Sequence, residues 1–180
     1  MKKTALIFGS VIGIPLSGGM IYMVDFLFYK NPDVKGNDFL GYIVLVVLLS
    51  PIFFGIRSYR NNQLGGAISF KKALGTGVLI SLIASTIYLV VWLFAYYLFF
   101  YPDFIDKYTA YALRHCAPSD VEAKAQSLRE FAQMYKNPLF VMLSTFMEIF
   151  PLGVIISLIS AFLLKRKQGA PDVQGTGPTR

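Results

Sequence analysis

The sequence predicts an all-α integral membrane protein: a four-helix transmembrane bundle with an amphipathic helical segment in the loop between spans three and four. Three observations predict it. Four long apolar runs, Ala5–Phe28, Phe39–Ile56, Ala73–Tyr101 and Leu139–Leu164, dominate the 180 residues. A hydrocarbon core about 30 Å thick needs roughly 20 helical residues, which the second run just reaches and the others exceed. A chain that is 55% hydrophobic and 15% charged belongs to the membrane class by composition. Basic residues also collect at one end of every run, as topology requires.

Span one, Ala5–Phe28, follows Lys2 and Lys3 and is expected to be an uncleaved span. Its apolar run is too long for a signal-peptide core, and no small-x-small cleavage site stands out after it. Pro15 and Ser17-Gly18-Gly19 predict an interruption or kink. Gly9 and Gly13 form a small-residue face for helix packing. The polar connection Tyr29–Asp38 is short, which sets spans one and two side by side and antiparallel. Span two carries Pro51 and ends at Ile56, before an inner loop, Ser58–Phe70, with turn signals at Asn61-Asn62 and Gly65-Gly66.

Ser69 is the predicted N-cap of span three, whose 73–101 length of about 43 Å requires tilt or protrusion. Ser81 and Ser85 give it a packing seam, and Trp92 to Tyr101 an aromatic belt. In the outer loop, 102–137, two helices are expected, Asp103–Arg114 and Asp120–Tyr135, with Ser119 and Glu122 as a capping box. Val121, Ala125, Leu128, Ala132 and Tyr135 make the second amphipathic, its apolar face meeting the bilayer, the bundle mouth or a partner. His115 and Cys116 read as loop residues. Asn137-Pro138 opens span four as N-cap and first-turn proline. The bundle domain is thus 1–167, and the Gly/Pro-rich 168–180 tail is expected to be disordered.

The net charge of +7 is distributed as topology rather than as a nucleic-acid surface. Ten Lys/Arg, among them Arg57, Arg60, Lys71, Lys72, Lys165, Arg166 and Lys167, fall on the side of the termini, and seven, offset by carboxylates, on the other. The positive-inside rule places both termini in the cytoplasm, and the named basic residues are expected to anchor at lipid headgroups. Membrane lipids are the expected partners, with a homo-oligomer or a protein partner in the membrane, and no nucleic acid.

Glu148 is the exception within the spans. An acidic side chain near the midplane costs about 2–4 kcal/mol on insertion scales. At about 100° per residue Ser144 and Thr145 share its face, whereas Gly153, Ser157 and Ser160 lie opposite as a packing stripe. Counting along the other spans brings Tyr22, Tyr42 and Tyr88 to its depth, with Trp92 a turn above, and no Lys or Arg. Glu148 is therefore expected to face the bundle interior, protonated or hydrogen-bonded to hydroxyl and indole donors. Without His clusters, paired intramembrane Asp, a Ser-His constellation or a phosphate-binding loop, no catalytic residue, metal or cofactor is assigned. The expected function is a non-enzymatic scaffold or accessory component. The rival is a small oligomeric transporter or channel using Glu148, and an embedded enzyme is a distant third.

The stretches 53–60 (FFGIRSYR), 64–66 (LGG) with 69–73 (SFKKA), 134–138 (MYKNP) and 148–151 (EIFP), with 156–167, carry a resemblance. Together they resemble DUF4199, an uncharacterised family of bacterial inner-membrane proteins, over about residues 1–167. The resemblance implies a four-span helical protein of a bacterial inner membrane and no catalytic role for any residue.

Overall fold

A computed structural model describes residues 1–165; Arg166, Lys167 and the 168–180 tail lie outside the described residues. The described elements are helical. α1 (Lys2–Val24) continues into a π-helical turn at Asp25–Lys30. Span two is two helices, α2 (Asp38–Leu49) and α3 (Pro51–Gln63). α4 (Phe70–Ala95) also ends in a π-helical turn, Tyr96–Phe100. α5 (Phe104–Arg114) and α6 (Val121–Tyr135) form a cap, and α7 (Pro138–Leu164) returns through the bundle. Four of these units are long and apolar enough to cross a membrane: 2–30, 38–63, 70–100 and 138–164.

α4 is the central helix, with α1 and α7 packed along its length on either side and α3 closing the remaining face at the terminal end, where the N-terminus and the last residues of α7 lie. Small residues allow these approaches. A Cβ on Gly9 or Gly13 of α1 would come within 2.6 Å of Ile83 or 2.9 Å of Ile87 on α4. Between α4 and α7 the seam is reciprocal: Gly77 receives Ser157, and Gly153 receives Ser81. The Ser81 and Ser157 hydroxyls lie 3.2 Å apart, each also bonded to the carbonyl four residues earlier. Ser85 and Ser160 are buried along the same two helices. Gly55 of α3, which the sequence did not single out, similarly faces Ile80 and Phe8. Ile12, Ile52, Ile56 and Ile80 fill the space that remains at this end.

Three local expectations change. Span one is not interrupted: α1 runs through Pro15, and the Ser17 hydroxyl bonds to the Gly13 carbonyl at 2.7 Å. One missing N–H is tolerated because α4 holds the helix at Gly9 and Gly13, on the N-terminal side of the proline. The break falls instead at Ser50-Pro51, where the Ser50 hydroxyl and N–H both turn back to the Val47 carbonyl, and Pro51 starts a new helix. The inner loop is also shorter than expected. Asn61 and Asn62 belong to α3, and the chain reverses at Gly65 and Gly66, whose φ of 64° and 90° suit glycine. Ser119 forms no capping box, because its hydroxyl bonds to Asp120 and a 3₁₀ turn at Pro118–Asp120 leads into α6.

The other predicted caps are present. Ser69 and Asn137 accept from the Lys72 and Leu139 N–H groups at the starts of α4 and α7, and Asn37, which the sequence did not single out, accepts from the Leu40 N–H at the start of α2. At the terminal end α3 ties the bundle together. Gln63 accepts from the chain's N-terminal amine and donates to Thr4, and Arg60 donates to the Leu164 carbonyl at 3.3 Å, capping α7.

Candidate functional site: a cavity under the cap

The two halves of the bundle differ because span two is broken. Below Ser50-Pro51, α3 is wedged among α1, α4 and α7. Above it α2 has one buried residue, Leu49, while Phe39, Tyr42, Val44 and Val47 are exposed. The cap-side half of α4 therefore lacks a fourth helix against it. A cavity of about 360 Å³ occupies this region, walled by α1 (Met20, Met23, Val24) and its π-helical turn (Phe28), α4 (Tyr88, Trp92) and α7 (Ser144, Thr145, Glu148). Its roof is Phe104 and Tyr108 of α5 with Phe131 and Tyr135 of α6. No residue of α2 lines it.

The roof explains the amphipathic cap helices. Leu128 and Tyr135 turn inward from α6, with Phe131 between them, so its apolar face covers the bundle mouth. Two ring pairs pack edge to face, Trp92 on Phe104 at 5.1 Å and Phe28 on Tyr108 at 5.6 Å, while Phe104 and Tyr135 meet tilted at 5.8 Å. The predicted aromatic belt thus divides. Trp92, Tyr96 and Phe100 are buried under the cap, and Tyr97, Phe99 and Tyr101 remain outside. The π-helical turns at the ends of α1 and α4 put Phe28 and Phe100 on the inner side.

Polar ties fix the cap to the 31–37 loop. Tyr111 of α5 accepts from the Gly36 N–H at 2.7 Å, Arg114 pairs with Asp33, and the His115 ring spans the Tyr111 and Asp33 carbonyls. His115 is therefore a structural contact rather than a free loop side chain. Cys116 is half-buried, its thiol directed at the Leu113 carbonyl.

Glu148 follows the start of α7 by ten residues, about 15 Å along the axis. The sequence predicts that it faces the bundle interior; it lines the cavity there, with its side chain exposed rather than packed among the helices. It is exposed from the helix bundle along the cavity wall, because the face of α7 turned to α4 carries Thr145, Ile149 and Gly153 instead. Of the residues grouped with it by sequence, Ser144, Thr145, Tyr88 and Trp92 share the cavity. Tyr22 and Tyr42 do not: they are 67% and 66% exposed and line no part of it. Nor is the indole available to Glu148. Trp92 Nε1–H donates to the Tyr135 hydroxyl at 3.0 Å, buried beneath the roof. Tyr88, on the neighbouring α4, lines the same cavity as the carboxyl.

The roof phenols stay neutral. Burial pushes Tyr135 upward; the indole bond opposes the rise and the nearby Tyr96 and Glu148 add to it. Burial also raises Tyr108, with the Asp38 carboxylate adding to it. Since Trp92 can only donate, the Tyr135 oxygen accepts and its own hydrogen is left for the cavity. No basic side chain lines the cavity, and the ion pairs among the described residues, Asp25–Lys30 and Asp33–Arg114, lie away from it. Among the described residues no three metal-ligating side chains converge. Arg57, Lys71, Lys72 and Lys165 are exposed at the opposite end.

The fold and cavity define a multi-pass helical membrane protein. Its residues 3–166 match the family described as a protein of unknown function, DUF4199, and the chain belongs to that family. No curated protein and no solved structure matches it.

Proposed function

We propose that the protein is a non-enzymatic accessory or scaffold component of a bacterial inner membrane, with both termini and the 64–69 turn cytoplasmic and the α5–α6 cap outside. One observation carries this reading. The terminal half is packed shut by Ile12, Ile52, Ile56, Ile80 and the glycine–serine seams, so the cavity ends blindly inside the bundle. A closed half suits a component that holds a partner or ligand better than a conduit. The basic flanks at the terminal end support the orientation. Purification in native lipid discs, with mass measurement of the particle, is the test. A stoichiometric partner or homo-oligomer is expected. A monomer supporting ion or proton flux in liposomes that is lost in Glu148→Gln would replace this reading with the transporter one, which the carboxyl on the cavity wall favours.

A further inference from the structure

We propose that the cavity under the cap is a binding site for a lipophilic monovalent cation, an ammonium group carrying apolar substituents. The proposal goes beyond the accessory role and holds whether or not that role is correct. It joins three features of the same wall. Glu148 is the one charged side chain on the lining, and no Lys, Arg or His of the cavity faces it. A carboxyl in apolar surroundings needs either a proton or a counter-charge, and a bound cation supplies the second. Trp92, Phe104 and Tyr135 present aromatic rings to the same space, and ring faces attract weakly hydrated cations most where water is excluded. The volume of about 360 Å³ fits a compact organic group. Glu148 itself is exposed rather than sealed in, so a substituent on the cation has room to extend toward the lipid. An anion would meet the Glu148 carboxylate, and a neutral hydrocarbon would leave it without a partner.

The test uses the full chain in lipid discs and benzyltrimethylammonium as the probe, with neopentylbenzene, its neutral isostere, in parallel. Trp92 is the only tryptophan and lies on the cavity wall, so its emission reports occupancy directly. The expected result is a saturable change in emission with the cation and none with the isostere. Glu148→Gln should weaken cation binding at least tenfold with the free protein's emission and melting temperature unchanged, and Glu148→Asp should retain most of it. Should Glu148→Gln fail to fold, the wild-type comparison of cation with isostere decides alone. Equal responses to the two probes, a non-saturable response, or full binding by a folded Glu148→Gln protein would each overturn the proposal.

Discussion

Replacing Gly153 by alanine is the most informative perturbation of the bundle. The new Cβ would lie 2.7 Å from both Cβ and Oγ of Ser81, where ordinary contact begins near 3.4 Å. α4 and α7 must therefore separate locally by about 0.7 Å, or Ser81 must leave its place. A gap of that size forfeits roughly a quarter to a half of each dispersion contact along the seam. It also strains the Ser81–Ser157 hydroxyl pair. Overpacking of this kind costs about 1–3 kcal/mol, a roughly 5- to 150-fold shift of the unfolding equilibrium. The assay is unfolding in mixed micelles titrated with dodecyl sulfate. Gly75→Ala, on α4 with nothing within 4 Å of the added atom, is the control and should be neutral or slightly stabilising. Geometry also predicts a rescue. With Ser81→Gly the nearest remaining atom is the residue 81 Cα at 3.6 Å, so the double variant should recover most of the lost stability beyond additivity. Equal effects of Gly153→Ala and Gly75→Ala, or no rescue by Ser81→Gly, would refute the seam.

Other perturbations act on separate parts of the fold. Tyr135→Phe removes the acceptor of the buried Trp92 N–H and should cost about 1–3 kcal/mol, with a blue shift of the single-tryptophan emission. Tyr111→Phe removes the acceptor of the Gly36 N–H, and hydrogen exchange should accelerate in residues 31–37 while α4 and α7 keep their protection. Arg60→Gln removes the donor at the end of α7, so exchange at residues 161–165 should rise with little change in global stability.

Much of this architecture was legible in the sequence, for identifiable reasons. An apolar run long enough to span hydrocarbon has few other fates, so the four spans followed from length alone. Spacings of four between small residues placed Gly9 and Gly13, and Ser81, Gly153 and Ser157, on helix contacts, because that period brings them to one face. Proline was less informative. Pro15 and Pro51 both interrupt apolar runs, yet the helix breaks only at Pro51, where Ser50 turns back to Val47 and begins a new N-terminus. What decides is the packing on either side, which a local motif does not record. The cavity was half visible. Ser144, Thr145 and Glu148 share a helix face by arithmetic, but Phe28, Phe104, Tyr108 and Phe131 come from three other elements as ordinary apolar residues. Depth counting brought in Tyr22 and Tyr42 because it measures height and not direction. Tyr42 lies on the splayed α2, and Tyr22 points outward from α1.

The central claim is that the bundle is sealed at the terminal half and open beside Glu148 at the cap half. Cys116 is the only cysteine, so a Cys116→Ser background permits single reporters at will. Spin labels placed at residues 148 and 80, in lipid discs, measure this through their collision rates with dissolved oxygen, which concentrates in the hydrocarbon. The account predicts frequent collisions at 148 and strong shielding at 80, where Ile80 is fully buried. Shielding at 148 equal to that at 80, in a protein of unchanged stability, would contradict it.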